Sequence, residues 1–213
     1  MTGVQTCALP IWAPFVFAAH NDQPYRNVRE LIAYAKANPG KLSYGVDVSS
    51  GLGLVAARAF VKRAGLDIAE VPYRSTPQMI QDTLAGRVPL LLAAMTPVEP
   101  LLRDGRLRGV TLTSEKRFPT FPDVSVISEE IPGFNIDGWL TVVAPTGVPM
   151  EIRQKVGAEI VKFVALEETK RRLLQNGLNP APDGGSVQWA SDYIKREQAK
   201  WVDLAKELEL KPE

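Results

Sequence analysis

Three stretches of this chain set hydroxyls, glycines or a guanidinium at the mouth of a helix, where anion chemistry is possible. The first is Gly45-Val46-Asp47-Val48-Ser49-Ser50-Gly51-Leu52-Gly53, which runs straight into a helical pattern. Glycine lets a backbone approach a ligand closely, and serine hydroxyls donate hydrogen bonds. A helix N-terminus adds free N–H groups and roughly half a positive charge. Together they suit a carboxylate or a phosphate; the same residues also serve a turn and a helix cap with no ligand. The second stretch, Val71 to Pro77, gathers Tyr73, Arg74, Ser75 and Thr76 at another helix entrance. Arg74 there is placed to pair bidentately with a carboxylate, or to stand as a surface arginine beside a capping Thr76. The third, Ala93-Ala94-Met95-Thr96-Pro97, offers small residues that suit a cleft floor and suit packing equally.

The first stretch also matches the dinucleotide pattern G-x-G-x-x-A through Gly51, Gly53 and Ala56, with Glu70 near the distance expected of a ribose ligand. Its context is poor. A buried parallel strand before the motif reads as nearly continuous Val, Ile and Leu, whereas Lys41 to Val46 is short and half polar. Catalysis finds little else. Cys7 and His20 are the sole residues of their kinds, too few for a four-ligand zinc site unless acids fill it. No serine stands in a G-x-S-x-G elbow. Asp82, Asp104, Glu129 and Glu130 fall mostly on helical segments among charged neighbours and read as solvated faces, as do Lys116-Arg117 and Lys170-Arg171-Arg172. No cofactor or metal is implied.

The elements that position these loops follow from periodicity. A strand begins at Phe15-Val16-Phe17. Asn27 with Glu30 makes a capping-box-like start to a helix in which Val28, Leu31, Ile32 and Ala35 recur at helical spacing, closed by Asn38-Pro39-Gly40. Strands are expected over Leu42–Val46, Ile68–Val71, Val88–Ala93, Gly109–Thr113 and Trp139–Val143. Helices are expected over Leu52–Ala64, from Thr76 as cap to Gly86, in a short piece ending at Gly105, and over Pro149–Ala165 and Glu167–Asn176. A long last helix is capped by Ser186, with Ile194, Trp201, Ala205 and Leu208 on one face. Such alternation predicts α/β layers with mostly parallel sheets. The helix-rich texture after Trp139 places a second structural unit from about Gly138.

Composition bounds the rest. The chain has 213 residues, 45% hydrophobic and 23% charged, with a net charge of +1. That is an ordinary globular composition. It gives no basic stripe for nucleic acid, and no apolar run approaches the roughly 20 residues of a membrane span. The first eleven residues, Met1 to Ile11, lack the basic and apolar regions of a secretory signal and resemble a translated sequencing adapter. Residues 1–12 are therefore expected to be a non-native tail without function.

Several motifs add up to a resemblance. Glu30-Leu31-Ile32-Ala33-Tyr34-Ala35-Lys36-Ala37-Asn38-Pro39-Gly40-Lys41-Leu42, Val71-Pro72-Tyr73-Arg74 and Gln81-Asp82-Thr83-Leu84-Ala85-Gly86-Arg87-Val88 are followed by Thr113 to Arg117, Phe121-Pro122-Asp123-Val124, Gly138-Trp139 and Ala144 to Pro149. In order and spacing they resemble the receptors of tripartite tricarboxylate transporters, also called Bug proteins, from about Ala13 to the end.

The resemblance implies a type II-like periplasmic binding fold of two α/β lobes around a ligand cleft. Residues 13–20 would be a crossing strand, 21–137 lobe two, and 138–213 the returning C-terminal part of an incomplete lobe one. It implies a periplasmic, non-enzymatic receptor, monomeric when complete, that captures a small carboxylate for the integral membrane subunits of its transporter without inserting into the membrane itself. Two ligand regions carry over: Ser49, Ser50 and Gly51, and Tyr73, Arg74, Ser75 and Thr76. Leu54 stands where the family usually has a histidine. Pro89 and Ala93 or Ala94 replace frequent acids, which favours a ligand without an amine. A lobe lacking its opening strands exposes apolar faces and strand edges, so the chain is expected to bind ligand poorly and to aggregate.

Overall fold

A computed structural model describes residues 4–49, 51–181 and 186–210. They form two compact units, Met1–Ala13 with Trp139–Glu213, and Pro14–Gly138.

The larger unit is an α/β sandwich on a six-stranded sheet. Its strands are β2 (Phe15–Ala19), β3 (Ser43–Asp47), β4 (Ala69–Tyr73), β5 (Leu90–Ala94), β6 (Arg108–Leu112) and β7 (Ser125–Val126), in the spatial order β4-β3-β5-β2-β6-β7. Strands β3, β4 and β5 are mutually parallel, β2 runs against both β5 and β6, and β7 is parallel to β6. All but β2 therefore point the same way, as the alternation of elements predicts. The two innermost strands carry the continuous apolar runs. All five residues of β2 and Leu90, Leu91, Leu92 and Ala93 of β5 are buried, the pattern of strands covered on both faces. Phe17 of β2 packs against Tyr44 of β3, with ring centroids 6.3 Å apart.

Helices α1 (Val28–Ala37), α2 (Gly51–Ala64), α3 (Thr76–Leu84) and α4 (Met95–Arg103) connect the strands. Phe60 of α2 lies 5.1 Å from Phe17. The expected start of α1 holds: the Asn27 side chain accepts the Glu30 N–H at 2.9 Å, and Glu30 returns its carboxylate to the Arg26 N–H at 2.7 Å. The start of α3 differs by one residue. Ser75, in extended conformation, accepts the Gln78 N–H, while the Thr76 hydroxyl, expected as the cap, is turned elsewhere.

In the smaller unit, residues 4–13 of the stretch expected to be a non-native tail form β1 (Val4–Ala13), the middle strand of a sheet ordered β8 (Gly138–Pro145), β1, β9 (Asn179–Pro180). Cys7 and Ala8 are buried. Pairing to β9, Ile11 with Pro180 and Trp12 with Asn179, joins residues so far apart in sequence that no local pattern announces it. Helices α5 (Met150–Ala165), α6 (Glu167–Gln175) and α7 (Val187–Glu207) complete this unit. Ser186 caps α7 through the Trp189 N–H at 3.1 Å. The buried residues of α7 are Val187, Ala190, Glu197 and Leu204, and Ile194, Trp201, Ala205 and Leu208 lie half-buried along the same face. Trp12, Trp139, Trp189 and Tyr193 form an aromatic cluster, closest between Trp12 and Tyr193 at 4.8 Å.

Candidate functional site

The topology of the larger unit singles out one edge of its sheet. From β3 the chain passes through α2 to β4 on one side. From β5 it passes through α4 to β6 on the other. Strands β3 and β5 are neighbours, so the chain leaves their carboxyl ends in opposite directions. That divergence opens the crevice where open α/β sheets take ligands. The three loop-to-helix junctions singled out in the sequence all lie at this edge, because they follow β3, β4 and β5.

Asp47, the last residue of β3, organises the edge. One carboxylate oxygen accepts the Ser49 N–H at 2.9 Å and the Ser49 hydroxyl at 2.6 Å. The other accepts the Thr76 hydroxyl at 2.7 Å. Partial burial alone would raise the Asp47 carboxyl. The donors of Ser49 and Thr76 outweigh it and hold the pKa below the ordinary value. The β3–β4 ladder continues past the strands, through the Val48 N–H to the Tyr73 carbonyl at 2.9 Å. Asp47 and Tyr73 are paired in register. The loop after β3 and the junction after β4 are thus tied together twice.

The expected ligand residues divide accordingly. Ser49 and Thr76 meet through Asp47. Ser75 is occupied as the cap of α3. Tyr73 is buried, its ring beneath Gly45, and its hydroxyl donates to Asp82 at 2.9 Å. Burial first, and then this bond, raise its pKa. Arg74 is exposed, and no described group pairs with its guanidinium. Gly51 opens α2 with open space around its α-carbon and no acidic residue in the helix's first turn. Ser50 lies outside the described residues. At the end of β5, the Met95 N–H binds the Pro14 carbonyl at 2.9 Å, which fixes the third junction against the start of β2.

Asp47 itself was not among the expected ligand residues. The signal was present as Asp-x-Ser, since aspartate side chains bind the backbone two residues on. The Thr76 half of the arrangement is a contact 29 residues away and has no local signature.

The dinucleotide alternative is not favoured. Glu70 is held by Arg58 through two bonds, at 2.9 and 2.8 Å, and by the Tyr44 hydroxyl at 2.9 Å. Its acceptors are committed within the fold. The acids expected on solvated faces are mostly paired there: Asp82 with Arg87, Glu129 with Arg117 and Glu130 with Arg29. Among the described residues no group of three His, Cys, Asp or Glu is placed to hold a metal ion. No described helix is long and apolar enough to cross a membrane.

Comparison with known proteins gives the family. A family model described as the tripartite tricarboxylate transporter family receptor matches residues 3–210. A UPF0065 protein from the tcbD-tcbE intergenic region of a Pseudomonas species is 33% identical over 202 residues, covering 92% of this chain and 59% of that protein. The chain thus spans about three-fifths of the length of that curated relative. An R. palustris protein solved with adipate superposes with a TM-score of 0.83 at 29% identity, covering 97% of this chain and 69% of the other. The periplasmic binding protein BugD shares the fold, with a TM-score of 0.80 at 23% identity, over 99% of this chain and 71% of its own. The chain therefore belongs to the tripartite tricarboxylate transporter receptor family.

Proposed function

We propose that this protein is an extracytoplasmic receptor that captures a small organic carboxylate for a tripartite transporter and performs no chemistry on it. The observation that carries the reading is the edge of the β3–β4–β5 layer. The chain diverges there from the ends of β3 and β5. The opening turn of α2 carries no acidic residue, and Arg74 stands exposed directly after β4, the neighbour of β3. Backbone N–H groups at a helix start and a guanidinium are the two donors that best match a carboxylate. The similarity to an R. palustris protein solved with adipate supports a carboxylate as ligand. Family membership supports integral membrane subunits as partners and the periplasm as the place of action. The ligand we favour carries no amine, since Leu90 to Ala94 at the strand end bring no acid to meet one.

A thermal-shift screen of the chain against mono-, di- and tricarboxylates, amino acids and NAD(H) tests this. A ligand at a hundred times its Kd stabilises the folded state by about 2.7 kcal/mol. Because the chain is expected to bind poorly, a shift with adipate or another organic acid only at high ligand concentration is the expected result. A shift with NAD(H) and with no acid would overturn the reading in favour of a dinucleotide site.

A further inference from the structure

The hydroxyls of Ser49 and Thr76, both among the expected ligand residues, point at a single acceptor. We propose that Asp47 is the positioning residue of the ligand site: it locks the loop after β3 to the junction after β4, so that the ligand meets the opening turn of α2 and Arg74 rather than those two hydroxyls. This inference rests on the receptor reading above.

Counting donors leads to it. A carboxylate offers about four acceptor positions. Here the Ser49 N–H, the Ser49 hydroxyl and the Thr76 hydroxyl fill three of them. A hydroxyl has one proton to give. Once given to Asp47, it leaves only lone pairs facing outward, and lone pairs repel a ligand carboxylate. The start of α3 is closed in the same way. Pro77 has no N–H, the Gln78 N–H goes to the Ser75 hydroxyl at 3.4 Å, and the Met79 N–H to the Ser75 carbonyl at 3.3 Å.

The start of α2 is arranged differently. Its first N–H groups have no partner within the helix, its first turn holds no acid, and nothing crowds Gly51. Arg74 follows Tyr73, the ladder partner of Asp47, and is exposed without a described partner. Asp47 therefore assigns the two loops different tasks. One is sealed against itself, and the other, held in place by the first, is left to donate.

Calorimetry with adipate and NMR on the whole chain test the proposal together. If the chain binds adipate, Asp47→Ala weakens binding at least tenfold. Asp47→Asn, which keeps a neutral acceptor toward Ser49, weakens it less. Ser49→Ala and Thr76→Val weaken binding in the native background and add less than twofold when combined with Asp47→Ala. Serine or threonine effects that persist undiminished without Asp47 would mark direct ligand contacts and overturn the proposal, as would an Asp47→Ala variant that binds like the native chain. If adipate and the other carboxylates do not bind, the receptor reading fails and NMR decides on Asp47 alone. The Ser49 and Thr76 amide resonances should follow one common protonation with a midpoint below the ordinary aspartate value of about 3.9. That titration should vanish in Asp47→Ala and Asp47→Asn, while the core amides of Phe17 and Leu91 keep their shifts. Separate titrations, or none, would show that Asp47 does not join the two loops.

Discussion

Gly157 of α5 rests directly on the backbone of Cys7. A Cβ built at Gly157 would stand 2.6 Å from the Cys7 carbonyl oxygen, so α5 crosses β1 where only a hydrogen fits. Two effects of Gly157→Ala compete. Helix propensity favours alanine by roughly 1 kcal/mol. Overpacking against a strand backbone, which cannot rotate aside, costs about 1–3 kcal/mol. The clash wins, and the variant is expected to lose about 1–2 kcal/mol, or a Tm lower by roughly 2–8 °C. An unchanged or raised Tm in a calorimetric scan would show that α5 and β1 do not cross at this point.

The same strand controls the one thiol. Cys7 is 2% exposed, and a buried thiol in apolar surroundings is inert. In the folded protein a colorimetric disulfide reagent should therefore react at least a hundredfold slower than in denaturant. Equal rates would show that β1 does not bury Cys7.

Glu70 links stability to acid. The Arg58 hydrogen bonds are the main cause of its lowered pKa; burial opposes them and the Tyr44 hydroxyl assists. A carboxyl with a depressed folded value contributes stability above its unfolded pKa, about 4.3 for glutamate. That contribution is lost as pH falls through the folded value. The Arg58 side chain is 42% exposed, so screening limits the pair to about 1 kcal/mol. Native chain and Glu70→Gln should differ in Tm by a few degrees near neutral pH, and the difference should begin to shrink as pH falls below about 4.3 and vanish below the lowered folded value. A difference that persists undiminished in acid would show that the charge on Glu70 is not what matters.

Arg74 separates ligand contact from fold. Exposed and without a described partner, it can be changed with a stability effect within about 0.5 kcal/mol. A lost charge-assisted bond costs about 1.5–3 kcal/mol, so Arg74→Ala should weaken carboxylate binding by roughly ten- to a hundredfold while Tm holds. Arg74→Lys should recover part of the loss, because an ammonium keeps the charge without the planar fork. Titration calorimetry with adipate reads both, and unchanged affinity would place the ligand away from this side chain.

Much of the larger unit was legible because its signals are local. Glycine stops at Gly40, Gly65, Gly86 and Gly105, all of positive φ, and the apolar runs of β2 and β5 announced the elements within a residue or two. The three junctions were legible for the same reason. What sequence reading missed is carried by distant pairing. The strand β1 is defined by partners at the other end of the chain. Short strands such as β7 and β9 exist only through their neighbours. Thr76 was expected as a helix cap because its own surroundings favour that, and only Asp47, delivered by another strand, draws its hydroxyl away. Propensity proposes a role, and a stronger acceptor from elsewhere in the fold reassigns it.

The remaining prediction concerns the smaller unit's surface. Along α5, Ile152, Val156 and Phe163 recur at spacings of four and seven, which places them on one face. They are 51%, 41% and 61% exposed, and Gly157 and Val164 alone are buried in this helix. Leu140, Val142 and Val143 of β8 are exposed as well. In the larger unit, among the described residues, Val48 is the one large apolar side chain in that state. Contiguous apolar surface of this kind drives association in water. The chain should bind a hydrophobic dye and scatter light increasingly with concentration. Combining Ile152→Glu, Val156→Lys and Phe163→Glu should suppress both while leaving Tm within a few degrees, because these side chains contribute little to packing and each replacement is a good helix former. A native chain that stays monodisperse at high concentration without binding the dye would show that this face is covered. A triple variant that loses several kcal/mol would show the same, with the cover supplied from within the fold.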